Sequence, residues 1–371
     1  MKFRNYLSSL TKPELEELRD RLALNDSEKE IISMLRNEKS IIEISNELCV
    51  SIPTTNRKIK QIKYKLERDD YMKNTIPVWE KINLTIEEAA EYSNIGINKI
   101  NELAKSNIDA VYIASPNSLH FEQAMLMVKN KKHVIVEKPI VITEEEFLVL
   151  MDAASENEVI VMEAYIPIHL PARKVLKENI GKLGRIQYSR FQFCQHSSKY
   201  EDYLQGKNPN IFNPEFATGT LMDLGIYCVY PAIDLYGIPD SVSTYATFLN
   251  NGSDSSVNSI FKYSDHIVNI VSTKICQSDT PSEIMGDCGK IDIGLISKYE
   301  NMVLYGDNGK EVLSGEMTKP EYMSYEAKDF YRYITSPDET KAEYNEMNSI
   351  AHTVCSIMEM MRLQSGIKFD N

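Results

Sequence analysis

Residues 108–139 read IDAVYIASPNSLHFEQAMLMVKNKKHVIVEKP, and this stretch decides the fold class. The apolar run at 110–114 is typical of a strand that is buried on both faces. Polar residues at 115–118 end that strand and can cap a helix over residues 119–131. A second buried strand follows at 133–136. Strand, helix and strand within so few residues predict one right-handed parallel crossover.

The candidate site residues lie where these two strands end. Ligands of a parallel sheet bind beyond the carboxyl ends of its strands, so side chains from both ends can face one ligand. Asn117 or Ser118 would in addition cap the helix that follows the first strand. The residues at the two ends are Ser115, Pro116, Asn117, Glu137, Lys138 and Pro139.

Length, charge and cysteine usage restrict the class of protein. The chain has 371 residues and a formal net charge of −13, which allows two or three domains and argues against a nucleic-acid coat formed by the whole chain. The six cysteines are scattered without a CxxC pair, which favours a reduced cytoplasmic compartment. No apolar run approaches the length of a membrane span, and the N-terminus has no apolar signal core. We expect a cytoplasmic protein without a membrane partner, and no metal site is predicted.

The first 70 residues follow helical spacing and predict a DNA-binding unit. A helix beginning near Ser40 carries one apolar stripe, and a second helix starts with Pro53 in its first turn. The second helix is apolar inside and basic outside, as in a helix-turn-helix whose second helix enters the major groove; a solvated lysine face would look the same. Residues 39–66 resemble the helix-turn-helix of phage and mobile-element regulators. The predicted DNA contacts are Thr54, Thr55, Asn56, Arg57, Lys58, Lys60 and Lys63.

Residues 72–104 read MKNTIPVWEKINLTIEEAAEYSNIGINKINELA and show a second helical pattern. Thr85 with Glu88 forms a capping box, and a turn at 93–96 separates this helix from the next. The segment resembles the start of the excisionases of conjugative transposons, which are small winged-helix DNA-binding proteins. The resemblance ends before the wing, so the basic backbone contacts of the wing are absent.

From about residue 105 the pattern changes to α/β and then to α+β. Thr143 with Glu146 forms a capping box for a further helix, and Gly181 is predicted to end the helix that begins at Pro171. The predicted strands of this part are 159–162, 186–193, 242–248, 256–261 and 266–272, and the predicted helices are 171–180, 219–228 and 347–361.

Several ordered motifs in this part resemble the Gfo/Idh/MocA family. The stretch at 108–139 is followed by VIVMEAY, GKLGRIQYSRFQF, GTLMDLGIYCVYPA, EIMGDCGKIDI and MRLQSGIKF. The family consists of NAD(P)-dependent oxidoreductases that act on sugars, inositols and trans-dihydrodiols. Many members carry histidine where this chain has Tyr227, so the resemblance is greatest to the dihydrodiol dehydrogenase and glucose–fructose oxidoreductase branch. It implies NAD or NADP as cofactor, a small polyol or sugar as substrate, and a homodimer formed through the C-terminal sheet.

The resemblance also implies roles for individual residues. Lys138 and Tyr227 would be the acid–base pair, and Asp223 would hold the substrate or the tyrosine. Hydride transfer from a carbinol carbon needs a proton acceptor and a cation near the oxygen, and Tyr227 lies one helical turn after Asp223. The implied cofactor-facing residues are Ser115, Pro116, Asn117, His120, Glu137 and Lys138.

Each of these residues has a structural alternative. His120 can be a satisfied helix cap, and Lys138 can be an ordinary exposed lysine. Asp223 can be a charge favoured by a helix N-terminus, and Tyr227 can be a packed ring with a bonded hydroxyl.

One departure from the family concerns the cofactor. Family members begin with a strand, a glycine-rich turn and a helix, whereas the first glycine here is Gly96. A dinucleotide fold uses that turn to bring its backbone close to the pyrophosphate, so we expect an impaired cofactor site. The first strand of 108–139 would then lie at an open edge of the sheet.

The fold class predicted is α/β plus α+β, preceded by all-α segments. It comprises a helix-turn-helix at 1–70, an excisionase-like segment at 71–104, a remnant of a Rossmann-type parallel sheet at 105–165, and a large mostly antiparallel β-sheet domain at 166–371. Such a chimera allows three functions: an oxidoreductase by descent with a weakened cofactor site, a DNA-binding regulator with an inert passenger, and a ligand-responsive repressor.

Overall fold

The computed structural model describes residues 15–62, with gaps, and residues 108–369 except 308. The chain divides into two compact units, Met1–Asn83 and Leu84–Asn371. The excisionase-like segment and the predicted DNA contacts Asn56, Arg57, Lys60 and Lys63 lie outside the described residues.

The N-terminal unit has its own apolar core. Its helices include α1 (Asp26–Arg36) and α2 (Ile41–Glu47). Asn25 and Glu28 form a capping box at the start of α1, because each side chain accepts a hydrogen bond from the backbone N–H of the other. The buried residues of the core are Leu15, Leu18, Leu22, Leu24, Ile31, Ile32, Leu35, Ile44, Ile59 and Ile62. They include Ile44 from the predicted helix that begins near Ser40, and Ile59 and Ile62 from the predicted helix that begins near Pro53, so apolar residues of both enter this core.

The second unit begins with the predicted parallel crossover, followed by another helix and a third strand. The strands pair in the order β1-β2-β3, and both pairs are parallel. Thr143 and Glu146 form the predicted capping box of α4. The elements are β1 (Ala110–Ile113), a 3₁₀ turn (Asn117–Leu119), α3 (His120–Lys129), β2 (His133–Glu137), α4 (Glu144–Glu156) and β3 (Val161–Ala164).

Strand β1 is less buried than its composition suggests. Of its residues only Ile113 is buried, whereas β2 has a buried centre and β3 is buried throughout. The reason is that β1 pairs only with β2 among the described residues, so it lies at the edge of the described sheet. The prediction of a strand covered on both faces was wrong, and the prediction of an edge position agrees with the described sheet.

Helix α5 (Pro171–Asn179) ends differently from the prediction. The chain continues into a 3₁₀ turn at Ile180–Leu183, and the left-handed residue that follows is Gly184, with φ 74°. A Cβ at Gly184 would lie 2.1 Å from Asp287 Oδ1, so both the backbone conformation and the space require glycine. Gly184 rather than Gly181 therefore ends this helical segment.

The second sheet has eight strands in the order β11-β10-β9-β8-β4-β7-β6-β5. All neighbouring pairs are antiparallel except β4 and β7. The predicted strands correspond to β4 to β7, each with ends within two residues of the prediction. The strands are β4 (Ile186–Cys194), β5 (Ser241–Phe248), β6 (Asp254–Lys262), β7 (Ile267–Thr273), β8 (Ser282–Gly286), β9 (Gly289–Ile293), β10 (Val303–Gly306) and β11 (Gly309–Val312).

The remaining α-helices of the second unit lie between β4 and β5 or follow β11 in the chain. They are α6 (Tyr200–Leu204), α7 (Ile226–Tyr236), α8 (Lys319–Thr335) and α9 (Pro337–Ser365). Helix α9 buries the predicted apolar stripe, including Met347, Val354, Ile357 and Met361, and packs against α4, α7 and β5. One core therefore continues from the parallel sheet through α7 and α9 to the eight-stranded sheet. Among the described residues, no helix combines the length and apolar character needed to cross a bilayer.

Candidate active site

The site forms at the carboxyl end of β2, where Lys138 follows the strand. The Lys138–Pro139 peptide bond is cis. Lys138 Nζ lies 2.8 Å from both the backbone oxygen and Oδ1 of Asp223, and its side chain is 12% exposed. Two of the three ammonium N–H groups are thereby used by Asp223. The third is available to an oxygen of a bound ligand.

Asp223 is presented by an unusual turn. The predicted helix at 219–228 begins as a π-helical segment, Leu221–Gly225, which leads into α7. The buried carboxylate of Asp254 accepts a hydrogen bond from Leu221 N at 2.7 Å and thereby caps the turn. A Cβ at Gly219, where φ is 151°, would lie 1.8 Å from Asp254 Oδ1. Glycine is therefore required for Asp254 to approach and cap this segment.

A second lysine, Lys274, contacts the same carboxylate. Its Nζ lies 2.8 Å from Asp223 Oδ2, and its side chain is 3% exposed. Burial would raise the pKa of Asp223, but the ammonium groups of Lys138 and Lys274 hold it well below its usual range. Asp223 therefore stays ionised, with one oxygen bonded to each lysine.

The sequence analysis missed Lys274. The only local signal is a lysine directly after a strand with alternating burial, β7. Nothing in the sequence indicates that this strand end meets the end of β2, because the contact depends on how the two sheets pack.

Tyr227 lies next to Lys138, as the family resemblance implies. Lys138 Nζ is 5.1 Å from the centroid of the Tyr227 ring. The rings of Tyr165 and Phe193 lie 5.5 Å and 5.4 Å from it and hold the ring in place. Burial raises the pKa of Tyr227 to about 12, although the Lys138 charge opposes this and Glu137 adds to it. The phenol is therefore protonated at neutral pH.

His120, which was predicted to line the nicotinamide side, lies beneath the surface at the ends of β1 and β2. It is fully buried, and its ring nitrogens lie 2.8 Å from the backbone oxygens of Ser115 and Pro139. Burial lowers its pKa. The His120 ring therefore contacts both the segment after β1 and the segment after β2, and it helps to fix their relative positions.

The other predicted cofactor residues lie together near the ends of β1 and β2. Asn117 does not cap α3; its amide donates to the backbone oxygen of Ala217 at 2.9 Å and joins this edge to the segment before the Asp223 turn. Glu137 accepts a hydrogen bond from the Tyr112 hydroxyl at 2.6 Å. Pro116, between these segments, is half-buried.

Two buried glutamates near the site were not predicted. Glu163, in β3, accepts hydrogen bonds from Ile140 N at 2.8 Å and from the Tyr230 hydroxyl. Burial raises its pKa to about 7. Glu326, in α8, has a buried Oε2 without a partner among the described residues, and burial raises its pKa well above its usual range. Glu163 interacts electrostatically with Lys138, and Glu326 interacts electrostatically with Tyr227.

The arrangement fits the nicotinamide end of a dinucleotide. Ser115 Oγ is buried and has no hydrogen-bond partner among the described residues, so it can meet a polar group of a ligand. Pro116 and Asn117 lie on the same edge, and the third N–H of Lys138 can donate to an oxygen of a bound ligand. Gly96, the first glycine of the chain, lies outside the described residues, so the fit concerns the nicotinamide end.

Two family models match the chain in succession. "Oxidoreductase family, NAD-binding Rossmann fold", of the GFO/IDH/MocA group, matches residues 61–165, and "GFO/IDH/MocA C-terminal domain" matches residues 170–292. The first match begins well before residue 105, where the sequence resemblance starts, and overlaps the predicted excisionase-like segment. The helix-turn-helix and excisionase assignments remain predictions.

Curated relatives match most of the chain. The chain is 38% identical over 274 residues to scyllo-inositol 2-dehydrogenase (NADP(+)) IolU of Bacillus subtilis, which is 73% of this chain and 82% of that protein. It is 36% identical to the uncharacterized oxidoreductase YgjR of Escherichia coli, over 71% of this chain and 79% of that protein. It is 24% identical to the trans-1,2-dihydrobenzene-1,2-diol dehydrogenase of Danio rerio, over 72% and 81% respectively.

Solved structures share the fold at low identity. A 3-ketoreductase from Actinomadura kijaniata, crystallised with TDP-benzene and NADP, superposes with a TM-score of 0.60 at 16% identity over 71% of this chain and 80% of that chain. Biliverdin reductase from Synechocystis superposes with a TM-score of 0.58 at 15% identity over 76% and 89%. At these identities the similarity supports the fold alone.

Proposed function

The chain belongs to the Gfo/Idh/MocA family of NAD(P)-binding oxidoreductases, and on this premise we propose that it interconverts a secondary hydroxyl and a carbonyl group on a small polyol. The observation that carries the proposal is the cluster of Lys138, Asp223 and Tyr227 beside the ends of β1 and β2. An ammonium and a phenol next to a nicotinamide-facing edge are the groups that alcohol–carbonyl interconversion needs.

Polyols are favoured as the substrate class by two features. Relatives of this chain include enzymes named for inositol and for a trans-dihydrodiol. The side chain of Asp223 is 36% exposed although lysines bond both of its oxygens, so it can still accept a hydrogen bond from a second hydroxyl of the substrate. Several relatives are named for NADP, which makes NADP the cofactor to test first.

Lys138, Tyr227 and the residues at the ends of β1 and β2 would each have a separate role in the proposed reaction. A bound nicotinamide, held against Ser115, Pro116 and Asn117, would exchange a hydride with the carbinol carbon. In the oxidation direction the C–H bond breaks with its electron pair leaving as hydride, and the hydroxyl proton passes to the ionised Tyr227 oxygen. The Lys138 ammonium stabilises the negative charge that develops on the substrate oxygen. In the reduction direction the Tyr227 hydroxyl returns the proton to the carbonyl oxygen.

The proposal is tested by an activity assay of the purified full chain. We expect NADP⁺-dependent formation of reduced nicotinamide with scyllo-inositol, myo-inositol, D-xylose or trans-dihydrobenzenediol, followed by absorbance. The Lys138→Met variant is the negative control. Equal rates for the two proteins would contradict the role assigned to Lys138, and no activity on any of these substrates would contradict the proposed substrate class.

A second proposal concerns the N-terminal unit, which we infer to bind duplex DNA. Its own apolar core supports this, because a small helical unit with a core can present a helix rigidly. Thr55 is fully buried and bonded to Ser45 Oγ at 2.9 Å, so it fixes the second helix instead of facing outward. Lys58 Nζ donates to Ser27 Oγ at 2.7 Å.

DNA binding by the full chain can be measured by fluorescence anisotropy at several salt concentrations. We expect affinity that falls with salt, and replacing both Lys60 and Lys63 with alanine should reduce the slope by about two. Binding with no salt dependence, or a slope unchanged in the double variant, would refute the assignment of this helix as the DNA-contacting element.

A further inference from the structure

Lys274 is a buried cation that takes no part in the proposed hydride and proton transfers. It directly follows β7, and its Nζ lies 2.8 Å from Asp223 Oδ2 and 2.8 Å from the backbone oxygen of Ile211. It also lies 5.2 Å from the centroid of the Phe212 ring. At 3% exposure the ammonium is too enclosed to contact a substrate as Lys138 can.

A buried ammonium is costly unless it is paired, so its placement needs a reason. Here the partner is a residue of the site, because Asp223 Oδ1 bonds Lys138 and Asp223 Oδ2 bonds Lys274. A carboxylate bonded at both oxygens cannot rotate about its terminal torsion without breaking one of the bonds. Lys274 therefore fixes the direction in which Asp223 presents its other oxygen to Lys138.

We propose that Lys274 is a positioning residue of the acid–base site, which acts through Asp223 to hold the Lys138 ammonium beside Tyr227. The inference rests on the proposed function, in which Lys138 and Tyr227 act on the substrate oxygen. Through Lys274, which follows β7, the eight-stranded sheet would contribute to the reaction at the end of β2.

Charge gives Lys274 a second effect on the same groups. The charged or titratable side chains around the site are Lys138, Lys274, Asp223, Asp254, Tyr227, Tyr165, Glu137, Glu163, Glu326 and Tyr112. Carboxyls outnumber ammonium groups in this set. Without Lys274, Lys138 would be the one lysine bonded to the Asp223 carboxylate, and the site would lose one positive charge. The pKa of Lys138 and the pKa of the Tyr227 hydroxyl would therefore both rise. The pH at which the oxidation rate rises would move upward.

The first test compares Lys274→Met with Lys290→Met. Lys290 is the control because it too is a lysine of the eight-stranded sheet domain whose Nζ pairs with carboxylates, Glu283 at 3.2 Å and Asp292 at 2.8 Å. We expect Lys274→Met to lower kcat about tenfold or more while the KM for the cofactor changes less than about twofold. Its pH profile for oxidation should shift upward by about one unit, and Lys290→Met should match the wild type.

Lys274→Arg supplies the rescue, because it keeps the charge and two donors at this place. It should recover more of kcat than Lys274→Met, which a loss of packing alone would not predict. If Lys274→Met does not fold, Lys274→Gln replaces it, since the amide can still donate to the oxygen of Ile211. A Lys274→Met or Lys274→Gln variant with the kcat and the pH profile of Lys290→Met would overturn the proposal.

A crystal structure of the Lys274→Met variant gives a readout that needs neither cofactor nor substrate. We expect Asp223 to rotate and Lys138 Nζ to move away from Oδ1, whereas the same distance stays at 2.8 Å in the wild type. An unchanged Lys138–Asp223 pair would refute the positioning role. A wild type without activity, together with a displaced pair in the variant, would contradict the proposed function and leave the positioning role supported.

Discussion

Replacing Lys138 with methionine should lower kcat for the proposed oxidation by roughly 10²–10⁴-fold, which is the range for loss of an acid–base group. The reason is that the Lys138 ammonium is the only cation among the described residues that combines a free donor with a place beside Tyr227. Methionine keeps the length and the apolar stem of the side chain. Steady-state kinetics with the best substrate from the activity assay would measure the effect.

The fold of the Lys138→Met variant should be intact. Asp223 would still be bonded by Lys274, so the change leaves no buried carboxylate without a partner. Circular dichroism and the affinity for NADPH should both match the wild type. If the variant keeps more than about a tenth of the wild-type kcat, the proposed role of Lys138 in the chemical step is wrong.

Replacing Tyr227 with phenylalanine should lower kcat on the order of 10²-fold or more, because the phenol is the proposed proton donor and acceptor. The ring and its contacts with Tyr165 and Phe193 would be kept. Tyr230→Phe is a matched control on the same helix, since the Tyr230 hydroxyl bonds buried Glu163. A Tyr227→Phe variant that retains the kcat of Tyr230→Phe would contradict this assignment.

The pH dependence of the wild type follows from the same phenol. Burial raises the pKa of Tyr227 to about 12, so its hydroxyl stays protonated well above neutral pH. Reduction, which uses the protonated form, should be nearly constant through neutral pH. Oxidation, which uses the ionised form, should rise about tenfold per pH unit while chemistry limits the rate. In Tyr227→Phe the remaining oxidation should lose this dependence.

Much of the fold could be predicted because its signals are local. The crossover at 108–139, the capping box of Thr143 and the strands β4 to β7 each depend on a pattern within a few residues. Gly184 took the place predicted for Gly181 because a 3₁₀ turn extends the helix and Asp287 requires a glycine there.

The site was predicted in part. The family resemblance implied that Lys138, Asp223 and Tyr227 act together, and the structure places them side by side. Local spacing alone indicated only that Asp223 and Tyr227 face the same way on a helix. The burial of His120 could not be predicted from the sequence, since its ring lies between backbone oxygens that come from two different loops. Lys274 and Glu326 reach the site only through the packing of β7 and α8, which local patterns do not encode.

The most direct test of the account is a fluorescence titration of the purified full chain with NADPH and NADH. Saturable binding in the micromolar range, unchanged in Lys290→Met, is the predicted result. It would mean that the edge formed by Ser115, Pro116 and Asn117 belongs to a working cofactor site even though Gly96 is the first glycine of the chain. No binding of either nucleotide to a chain that is folded by circular dichroism would contradict the proposed oxidoreductase activity.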